Sequence, residues 1–330
     1  MPIRVLTSEQ VFSVFPMSES VEFTEKAFMA YSSGLSKVPL RANIHHKSGD
    51  TLFMPGCATT EEGDLVGIKI VGVRPGNRSK RLPTVPATFL DVDEETGLLK
   101  SIVEGTSLTY LRTGASNGVA AKYFAREDSK VLLVCGCGFQ GRAGTEAILC
   151  VRPGIEKVFM FDLYKPCVES FGKWLHEKYP HIVSEVVETP NEAVPSSDII
   201  LTATTSKTPL FDGSLVKPGT HISGVGAYTP EMQEIPSDVI AKATCIADTL
   251  DGCLSEAGDF FIPHSEGLID KEKHVKYEIG MVALGKAPGR KSSEEITFFK
   301  TVGSAVQDVV VGHQIGKKAA EEGVGTEIEM

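Results

Sequence analysis

Apolar residues follow two different patterns in this 330-residue chain. Between residues 41 and 104, short apolar runs are separated by Gly and Asp turn signals, which predicts an antiparallel meander. Its strands are expected at 41–46, 51–55, 65–73, 84–91 and 98–104. From residue 130 onwards, apolar runs alternate with helical segments, which predicts a parallel sheet with helices on both faces. Its strands are expected at 131–135, 158–162, 184–187, 199–202, 221–225 and 244–247.

Helical spacing of apolar residues predicts three further elements. The first helix covers residues 18–31, with Ser18 as its N-cap and Gly34 at its end. A second helix, at 106–125, leads from the meander to the parallel sheet, and the last runs from about 294 to 316. The predicted fold class is α/β: a doubly wound parallel sheet of the Rossmann type, joined to an α+β domain that contains the antiparallel meander.

The first parallel strand runs into a glycine-rich loop that opens a helix. The loop has the pattern Gly-x-Gly-x-x-Gly, formed by Gly136, Gly138 and Gly141 around Phe139 and Gln140. Such glycines allow a tight turn, a close approach of a dinucleotide pyrophosphate and close packing of the helix on the strand. The helix N-terminus then faces the anion. The loop with its flanking strand and helix predicts a nucleotide site, whereas the glycines alone also fit an ordinary turn.

The second parallel strand ends at Asp162, which can accept hydrogen bonds from the adenosine ribose and would repel a 2′-phosphate. We therefore expect NAD(H), with NADP(H) as the alternative because Lys165 lies nearby; a solvated acid at a strand end is the other interpretation. Small residues at two later strand ends are expected to line the same cofactor cleft, unless they form ordinary turns. They are Thr202, Ala203, Thr204, Gly224, Val225 and Gly226.

Charge and composition argue against several classes of partner. The formal net charge is −10 without any basic run, which disfavours nucleic acid and anionic membranes. There is no signal-peptide core and no apolar stretch of membrane length. The seven cysteines lack CxxC spacing and the histidines lack metal-ligand spacing, so we expect no metal. Together these features predict a cytoplasmic protein in a reducing compartment.

Three basic residues of the first half are candidates for binding an anionic substrate. Lys69 interrupts an apolar strand, which is costly unless its ammonium group meets an anion or reaches water. Arg41 and Arg112 could hold both oxygens of a carboxylate. Each of the three also fits a surface cation whose stem alone is buried. Glu256 and Asp259 are either functional or simply charges on a helix surface.

These residues fall in a series of motifs along almost the whole chain. The motifs are Val38-Pro39-Leu40-Arg41, Gly67-Ile68-Lys69, Leu82-Pro83-Thr84, residues 108–115, Gly136-Cys137-Gly138-Phe139-Gln140, Thr202-Ala203-Thr204, Glu256-Ala257-Gly258-Asp259 and residues 285–290. With them, the chain resembles the ornithine cyclodeaminase/μ-crystallin family. The resemblance implies a Rossmann NAD-binding domain at 116–293. It also implies a substrate-binding and dimerisation domain at 1–115 with 294–330, and a homodimer joined through the meanders.

The resemblance also implies roles for single residues. Arg41, Lys69 and Arg112 would bind the carboxylate of a small amino or imino acid, and Thr84 would line the same pocket. In the cyclodeaminases of this family an aspartate follows the glycine pair after the fifth strand and acts as acid and base on the substrate amine. Here Tyr228 occupies that position. We predict Lys69, Arg112 and Tyr228 as the catalytic residues.

Tyr228 decides between the activities found in the family. A tyrosine, with an unperturbed pKa of about 10, is a poor base near neutral pH, whereas reduction of a protonated cyclic imine asks mainly for one hydride. We predict an NAD(P)H-dependent ketimine reductase that converts Δ1-pyrroline-2-carboxylate or Δ1-piperideine-2-carboxylate to L-proline or L-pipecolate. The alternatives are ornithine cyclodeaminase, an alanine dehydrogenase-like enzyme and a non-catalytic μ-crystallin-like binder. In the predicted reductase, Tyr228 either donates a hydrogen bond or only packs.

Overall fold

The computed structural model describes residues 2–80 and 82–329. Within these residues the chain forms two compact units. The first unit consists of Met1–Arg112 with Ser304–Met330, and the second of Thr113–Gly303. No helix of the described part of the chain is both long enough and apolar enough to span a membrane.

The strands and helices are numbered in chain order. The strands are β1 Ile3–Leu6, β2 Ser36–Lys37, β3 Ala42–His46, β4 Gly49–Thr60, β5 Gly63–Val73, β6 Ala87–Val92, β7 Leu99–Glu104, β8 Val131–Cys135, β9 Lys157–Phe161, β10 Val183–Val186, β11 Ile199–Thr202, β12 His221–Gly224, β13 Thr244–Ala247, β14 Tyr277–Glu278, β15 Thr297–Lys300 and β16 Thr326–Ile328. The helices are α1 Ser8–Val14, α2 Met17–Ser32, α3 Gly105–Phe124, α4 Phe139–Val151, α5 Lys165–Lys178, α6 Ser237–Lys242, α7 Leu250–Glu256, α8 Gly258–Ser265, α9 Lys271–His274, α10 Ile279–Ala283 and α11 Ala305–Glu321.

The first unit is built on one mixed sheet with the order β16-β1-β7-β6-β5-β4-β2, and β3 pairs with β4. The strands from β3 to β7 are antiparallel neighbours, which confirms the predicted meander. Strand β1 extends the sheet in parallel with β7, and the sequence pattern had not indicated it. Helix α11 packs on β4 to β7 and on α2. A methyl group at Gly312 would lie 2.5 Å from the ring of Phe89, so glycine lets α11 approach the sheet closely.

The second unit contains the predicted doubly wound sheet. All its strands are parallel, in the order β10-β9-β8-β11-β12-β15-β13-β14. Successive side chains of β8 enter two different apolar clusters, Leu133 on one face and Leu132 with Val134 on the other. Strand β8 is thus buried on both faces, as expected for a central parallel strand. Chain order reverses between β8 and β11, and such a switch point is where ligands bind at the carboxyl ends of the strands.

The prediction of one long helix from about residue 294 is wrong, because 297–300 form β15 and α11 begins only at Ala305. Phe298 and Phe299 are both fully buried, and a short apolar run of this kind does not distinguish a buried strand from a helix. Gly303, with φ of 79°, then turns the chain, and Ser304 caps α11 through a capping box with Gln307. Residues 294–303 therefore belong to the second unit, and not to the first as predicted.

The predicted start of the first long helix is also wrong by a small margin. Helix α2 begins at Met17 with Pro16 as its N-cap, so Ser18 lies inside the helix. Met17 is buried, and its packing extends the helix toward the N-terminus. Gly34 adopts a φ of 75° just beyond the helix, in agreement with its predicted role as the stop.

Candidate functional site

The glycine loop joins β8 to α4 in the second unit. Gly136 has a φ of 98°, and a Cβ there would lie 2.4 Å from the carbonyl oxygen of Ala203. A Cβ at Gly141 would lie 1.8 Å from the carbonyl oxygen of Gly136. By contrast, a Cβ at Gly138 would meet nothing within 4 Å. The outer two glycines are therefore required by the protein itself, and the middle one leaves open space beside the backbone.

The loop fits the pyrophosphate of a dinucleotide. Gly138 is the N-cap of the 13-residue helix α4, whose first turn presents N–H groups toward the open space. Gln140 adds an unused polar atom, because its Oε1 is buried without a hydrogen-bond partner among the described residues. Phe139 is 46% exposed at the same helix start. The helix start supplies donors and room for an anion, whereas Gln140 Oε1 can only accept a hydrogen bond. Contacts of Phe139 and Gln140 with a nucleotide stay predictions.

Asp162 lies directly after β9, and its carboxylate is held against the glycine loop. Oδ2 accepts a hydrogen bond of 2.9 Å from Cys137 N, and Oδ1 accepts one of 2.8 Å from Tyr164 N. The half-buried carboxylate is thus fixed at the loop by backbone donors, and its contact with a ribose stays a prediction. Cys135 and Cys137 are buried, and burial raises the pKa of Cys137 to about 12. A redox role for these thiols is disfavoured, because the thiolate is the reactive form.

The predicted strand-end residues follow β11 and β12, two neighbours of the sheet. A residue absent from the predictions, Glu234, connects them. Its Oε1 accepts from Thr204 N at 2.7 Å and from Thr204 Oγ1 at 2.9 Å. Its Oε2 accepts from Thr202 Oγ1 at 3.0 Å and from Gly226 N at 2.6 Å. One buried carboxylate therefore holds both strand-end loops.

Two further buried charges adjoin Glu234. Oδ1 of Asp259 accepts from Glu234 N at 2.8 Å and from Ile235 N at 3.1 Å. Lys300 Nζ lies 3.3 Å from Asp259 Oδ2 and donates to the carbonyl oxygen of Gly224. Asp259 and Lys300 are both fully buried, so the interpretation of Asp259 as a helix-surface charge is wrong. Glu256 is half-buried at the end of α7.

The first unit brings two of the predicted cations together. Lys69 Nζ on β5 donates to Asp308 Oδ1 at 2.6 Å, and Arg112 Nε on α3 lies 2.9 Å from the same oxygen. Arg112 Nη1 also donates to Gln307 Oε1 at 3.2 Å. Lys69 is 1% exposed, Arg112 6% and Asp308 0%. The interpretation of Lys69 and Arg112 as surface cations is therefore wrong, since both side chains are buried.

Burial and neighbouring cations lower the pKa of Lys69 to about 7. Loss of hydration is the largest cause, and the positive charges of Arg112 and Arg41 act in the same direction, whereas Asp308 opposes them. Arg41, half-buried before β3, is thus close enough to act on Lys69 electrostatically. Lys69 can therefore change its protonation state near neutral pH, which an ordinary lysine cannot do.

The family model of ornithine cyclodeaminases and mu-crystallin (the "Ornithine cyclodeaminase/mu-crystallin family") matches residues 3–323. The chain belongs to this family. A Delta(1)-pyrroline-2-carboxylate reductase of Bacillus cereus is 36% identical over 328 residues, which cover 98% of this chain and 99% of the relative.

Solved structures of the family are similar over the full length. The Thermococcus litoralis Delta(1)-pyrroline-2-carboxylate reductase in complex with NADH and L-proline has a TM-score of 0.94 and 36% identity, covering 99% of this chain and 100% of that one. An archaeal alanine dehydrogenase dimer with bound NAD has a TM-score of 0.91 and 33% identity, with both chains fully covered.

Two residues that the family resemblance had indicated lie at exposed positions. Thr84 is exposed before β6. Tyr228 is 46% exposed on the loop after β12, where its backbone N–H donates to the carbonyl oxygen of Gly226. Their roles in a pocket of this family member stay predictions.

Sequence reasoning missed Asp308, Glu234 and Lys300. Asp308 follows Val306 in the apolar stripe of the last helix, and Lys300 follows two phenylalanines of β15. A charged residue inside an apolar pattern is a signal for a buried, paired group, and it had been used only for Lys69. Glu234 lies in a loop and carries no such signal.

Proposed function

We propose that this chain is an NADH-dependent ketimine reductase. It reduces the C=N bond of Δ1-pyrroline-2-carboxylate or Δ1-piperideine-2-carboxylate, giving L-proline or L-pipecolate. Bound NADH supplies the hydride, which adds to the imine carbon, and one proton completes the amine, so NAD⁺ and the cyclic amino acid are the products. The relatives support this choice, since two of them are pyrroline-2-carboxylate reductases, one described with NADH and L-proline.

The observation that carries the proposal is the buried cluster of Lys69 and Arg112 on Asp308. Two cations meet one acid there, so these three side chains together carry a positive charge when Lys69 is protonated. A buried excess charge is costly unless an anion compensates it. The carboxylate of a small imino acid is such an anion, and Arg112 can bind it with two parallel hydrogen bonds. Arg41 adds a further positive charge toward the same anion.

Lys69 also has the properties of a proton donor. Its pKa of about 7 allows the ammonium form to release a proton near neutral pH. We assign Lys69 to hold the substrate carboxylate and to keep the imine nitrogen protonated, because an iminium carbon accepts a hydride more readily than a neutral imine. Tyr228 is assigned a hydrogen-bonding role at most, since it replaces the aspartate that serves the cyclodeaminases.

One experiment separates the proposal from its alternatives. The purified protein is incubated with NADH and chemically prepared Δ1-pyrroline-2-carboxylate, and separately with L-ornithine and catalytic NAD⁺. We expect NADH oxidation and L-proline in the first reaction, without ammonia release in the second. Ammonia and proline from ornithine would establish a cyclodeaminase. Turnover with pyruvate and ammonia alone would indicate an alanine dehydrogenase-like enzyme, and tight NADH binding without any turnover would indicate a non-catalytic binder.

We further propose a homodimer formed through the first unit. Every residue of β3 is exposed, including Ile44 at 55%, and the preceding Leu40 is 67% exposed. Apolar side chains on such a sheet edge favour pairing with another chain. The archaeal alanine dehydrogenase relative is described as a dimer. Light scattering should give twice the mass of one chain for the wild type, and Ile44→Glu should shift it toward the monomer; a monomeric wild type would contradict the proposal.

A further inference from the structure

The Glu234 side chain connects the two loops that follow β11 and β12. Its carboxylate accepts from Thr202 at the end of β11, from Thr204 in the following loop, and from Gly226 in the loop after β12. A Cβ at Gly226 would lie 2.0 Å from Thr204 O and 2.6 Å from Glu234 Oε1. The two loops are therefore in direct contact around this carboxylate, and a small change at Glu234 must move both.

The donors around Glu234 select a carboxylate over an amide. Thr204 N and Gly226 N can only donate, and they approach different oxygens of Glu234. A glutamine would turn an NH₂ group toward one of them and leave a buried donor unpaired. Burial raises the pKa of Glu234, and the positive charge of Lys300 opposes this effect. Lys300 thus supports the charge of Glu234, whereas Asp259 opposes that charge and fixes the backbone of Glu234 by accepting from its N–H group.

The clamped loops adjoin the glycine loop directly. A Cβ at Gly136 would lie 2.4 Å from Ala203 O, so the segment between Thr202 and Thr204 packs against the first glycine. In the sheet, Asp162 follows β9 on one side of β8, whereas the clamped loops follow β11 and β12 on the other side. A dinucleotide whose adenosine ribose meets Asp162 and whose pyrophosphate meets the glycine loop must extend its nicotinamide half toward β11 and β12.

We propose that Glu234 is a positioning residue that fixes the two loops against the nicotinamide half of bound NADH. This inference rests on the proposed function. Glu234 itself touches neither coenzyme nor substrate: it acts through the backbone of Thr204 and Gly226. Because its hydrogen bonds lie on the nicotinamide side only, its loss should affect hydride transfer while it leaves binding of the adenosine side unchanged.

Asp198 offers a matched control at the amino ends of the strands of the same sheet. It is also a buried carboxylate that accepts from two backbone N–H groups, those of Lys130 and Val131 at the start of β8. It also pairs with Lys217. Asp198→Asn therefore has a structural cost comparable to that of Glu234→Gln, but it lies away from the carboxyl ends of the strands.

The test compares Glu234→Gln, Asp198→Asn and the wild type at a temperature where circular dichroism shows each to be folded. Calorimetry measures Kd for NADH and for ADP-ribose, which lacks the nicotinamide, and steady-state kinetics measure kcat for imine reduction. For Glu234→Gln we expect Kd for ADP-ribose to stay within about twofold and kcat to fall about tenfold to a hundredfold, the loss expected for one broken charged hydrogen bond. Asp198→Asn should leave both values near those of the wild type.

The inference is overturned if Glu234→Gln loses equal affinity for ADP-ribose and for NADH. It is also overturned if Glu234→Gln matches Asp198→Asn in every measured value. If Glu234→Gln does not fold, Thr202→Val replaces it, because this change removes one donor to Glu234 with little change in volume. We again expect kcat to fall while Kd for ADP-ribose stays constant, with a smaller fall in kcat. If kcat does not fall in Thr202→Val, or if Kd for ADP-ribose rises with it, the inference is overturned as well. A wild type that fails to reduce any cyclic imine would instead refute the proposed function.

Discussion

The two units each bury a lysine with acidic partners, but the two clusters are balanced differently. In the first unit, Lys69 and Arg112 both contact the acid Asp308. In the second unit, Lys300 faces two acids, Asp259 and Glu234. Among these side chains, the first cluster therefore has two cations to one acid when Lys69 is protonated, and the second has one cation to two acids when both acids are ionised.

The excess negative charge of the second cluster is compensated by the chain itself. Backbone N–H groups of Thr204, Gly226, Glu234 and Ile235 all donate to its two acids. Each cluster also buries one carboxylate oxygen without a hydrogen-bond partner among the described residues, Oδ2 of Asp308 in the first and Oδ2 of Asp259 in the second, and in the first cluster burial and the neighbouring cations lower the pKa of Lys69. A cluster whose acids accept from several backbone N–H groups serves as a scaffold, whereas one in which two buried cations meet one acid is suited to bind a counter-ion.

Of the changes that test this comparison, replacement of Lys69 should have the largest effect on activity. Lys69→Met keeps the length of the side chain but removes both its charge and its proton. We expect kcat/KM for imine reduction to fall by about 10²–10⁴-fold, the usual contribution of a positioned acid. Kd for NADH, measured by fluorescence titration, should stay within about twofold, because the glycine loop belongs to the second unit.

Lys100→Met is the matched control for this change. Lys100 also lies on a strand of the first unit, but it is 39% exposed and pairs with Asp93 at 3.3 Å. An exposed ion pair contributes little, so activity should be unchanged. If Lys69→Met retains wild-type kcat/KM, the first cluster is only structural and the contrast between the two clusters disappears.

Arg112→Ala should have the second largest effect. It removes a charge-assisted hydrogen bond to the substrate carboxylate, so KM for the imine should rise by about ten- to a hundredfold. Arg74→Ala is the control, since Arg74 is an arginine of the first unit that is half-buried and donates to Thr51 Oγ1 rather than to Asp308. Equal losses of imine and NADH affinity in Arg112→Ala would contradict the assignment of Arg112 to the substrate.

Local patterns were sufficient to predict the parts of the fold in which neighbours in sequence decide the structure. The loop from Gly136 to Gly141 and the alternation of strands and helices are of this kind. Strand β15 could not be identified, because the run ending in Phe298 and Phe299 is buried on both sides and so lacks the period of either a strand or a helix. Its place between β12 and β13 depends on contacts distant in sequence.

The partners of the buried charges could not be predicted from the sequence either. Lys69 was identified as unusual from its apolar neighbours, but its acid lies 239 residues further along the chain. Glu234 resembles a surface charge in the sequence, and the apolar neighbours of Lys300 indicate burial but not its partner Asp259. The chemistry of single residues could thus be predicted, whereas the charge balance that distinguishes the two clusters could not.

The pH dependence of the reaction tests whether Lys69 of the first cluster is the proton donor. Lys69, with a pKa of about 7 in the free enzyme, is protonated below this pH and loses its proton above it. Reductive kcat/KM should therefore fall about tenfold per pH unit above neutrality, while oxidation of the product should rise. The bound carboxylate favours the ammonium form, so the break in kcat should lie at higher pH than that in kcat/KM. A pH-independent kcat/KM between pH 6 and 9 would exclude Lys69 as the proton donor.

The smallest expected effect concerns the choice between NADH and NADPH. Asp162→Asn removes a charge that would repel a 2′-phosphate, and it keeps one oxygen for the backbone donors Cys137 N and Tyr164 N. The ratio of kcat/KM for NADH to that for NADPH should fall about tenfold, mainly through improved use of NADPH. Glu185→Gln, an exposed acid of the neighbouring strand β10 that pairs with Lys157, should leave the ratio unchanged. An unchanged ratio in Asp162→Asn would mean that this carboxylate only braces the glycine loop, and would place it with Glu234 among the groups satisfied by backbone donors.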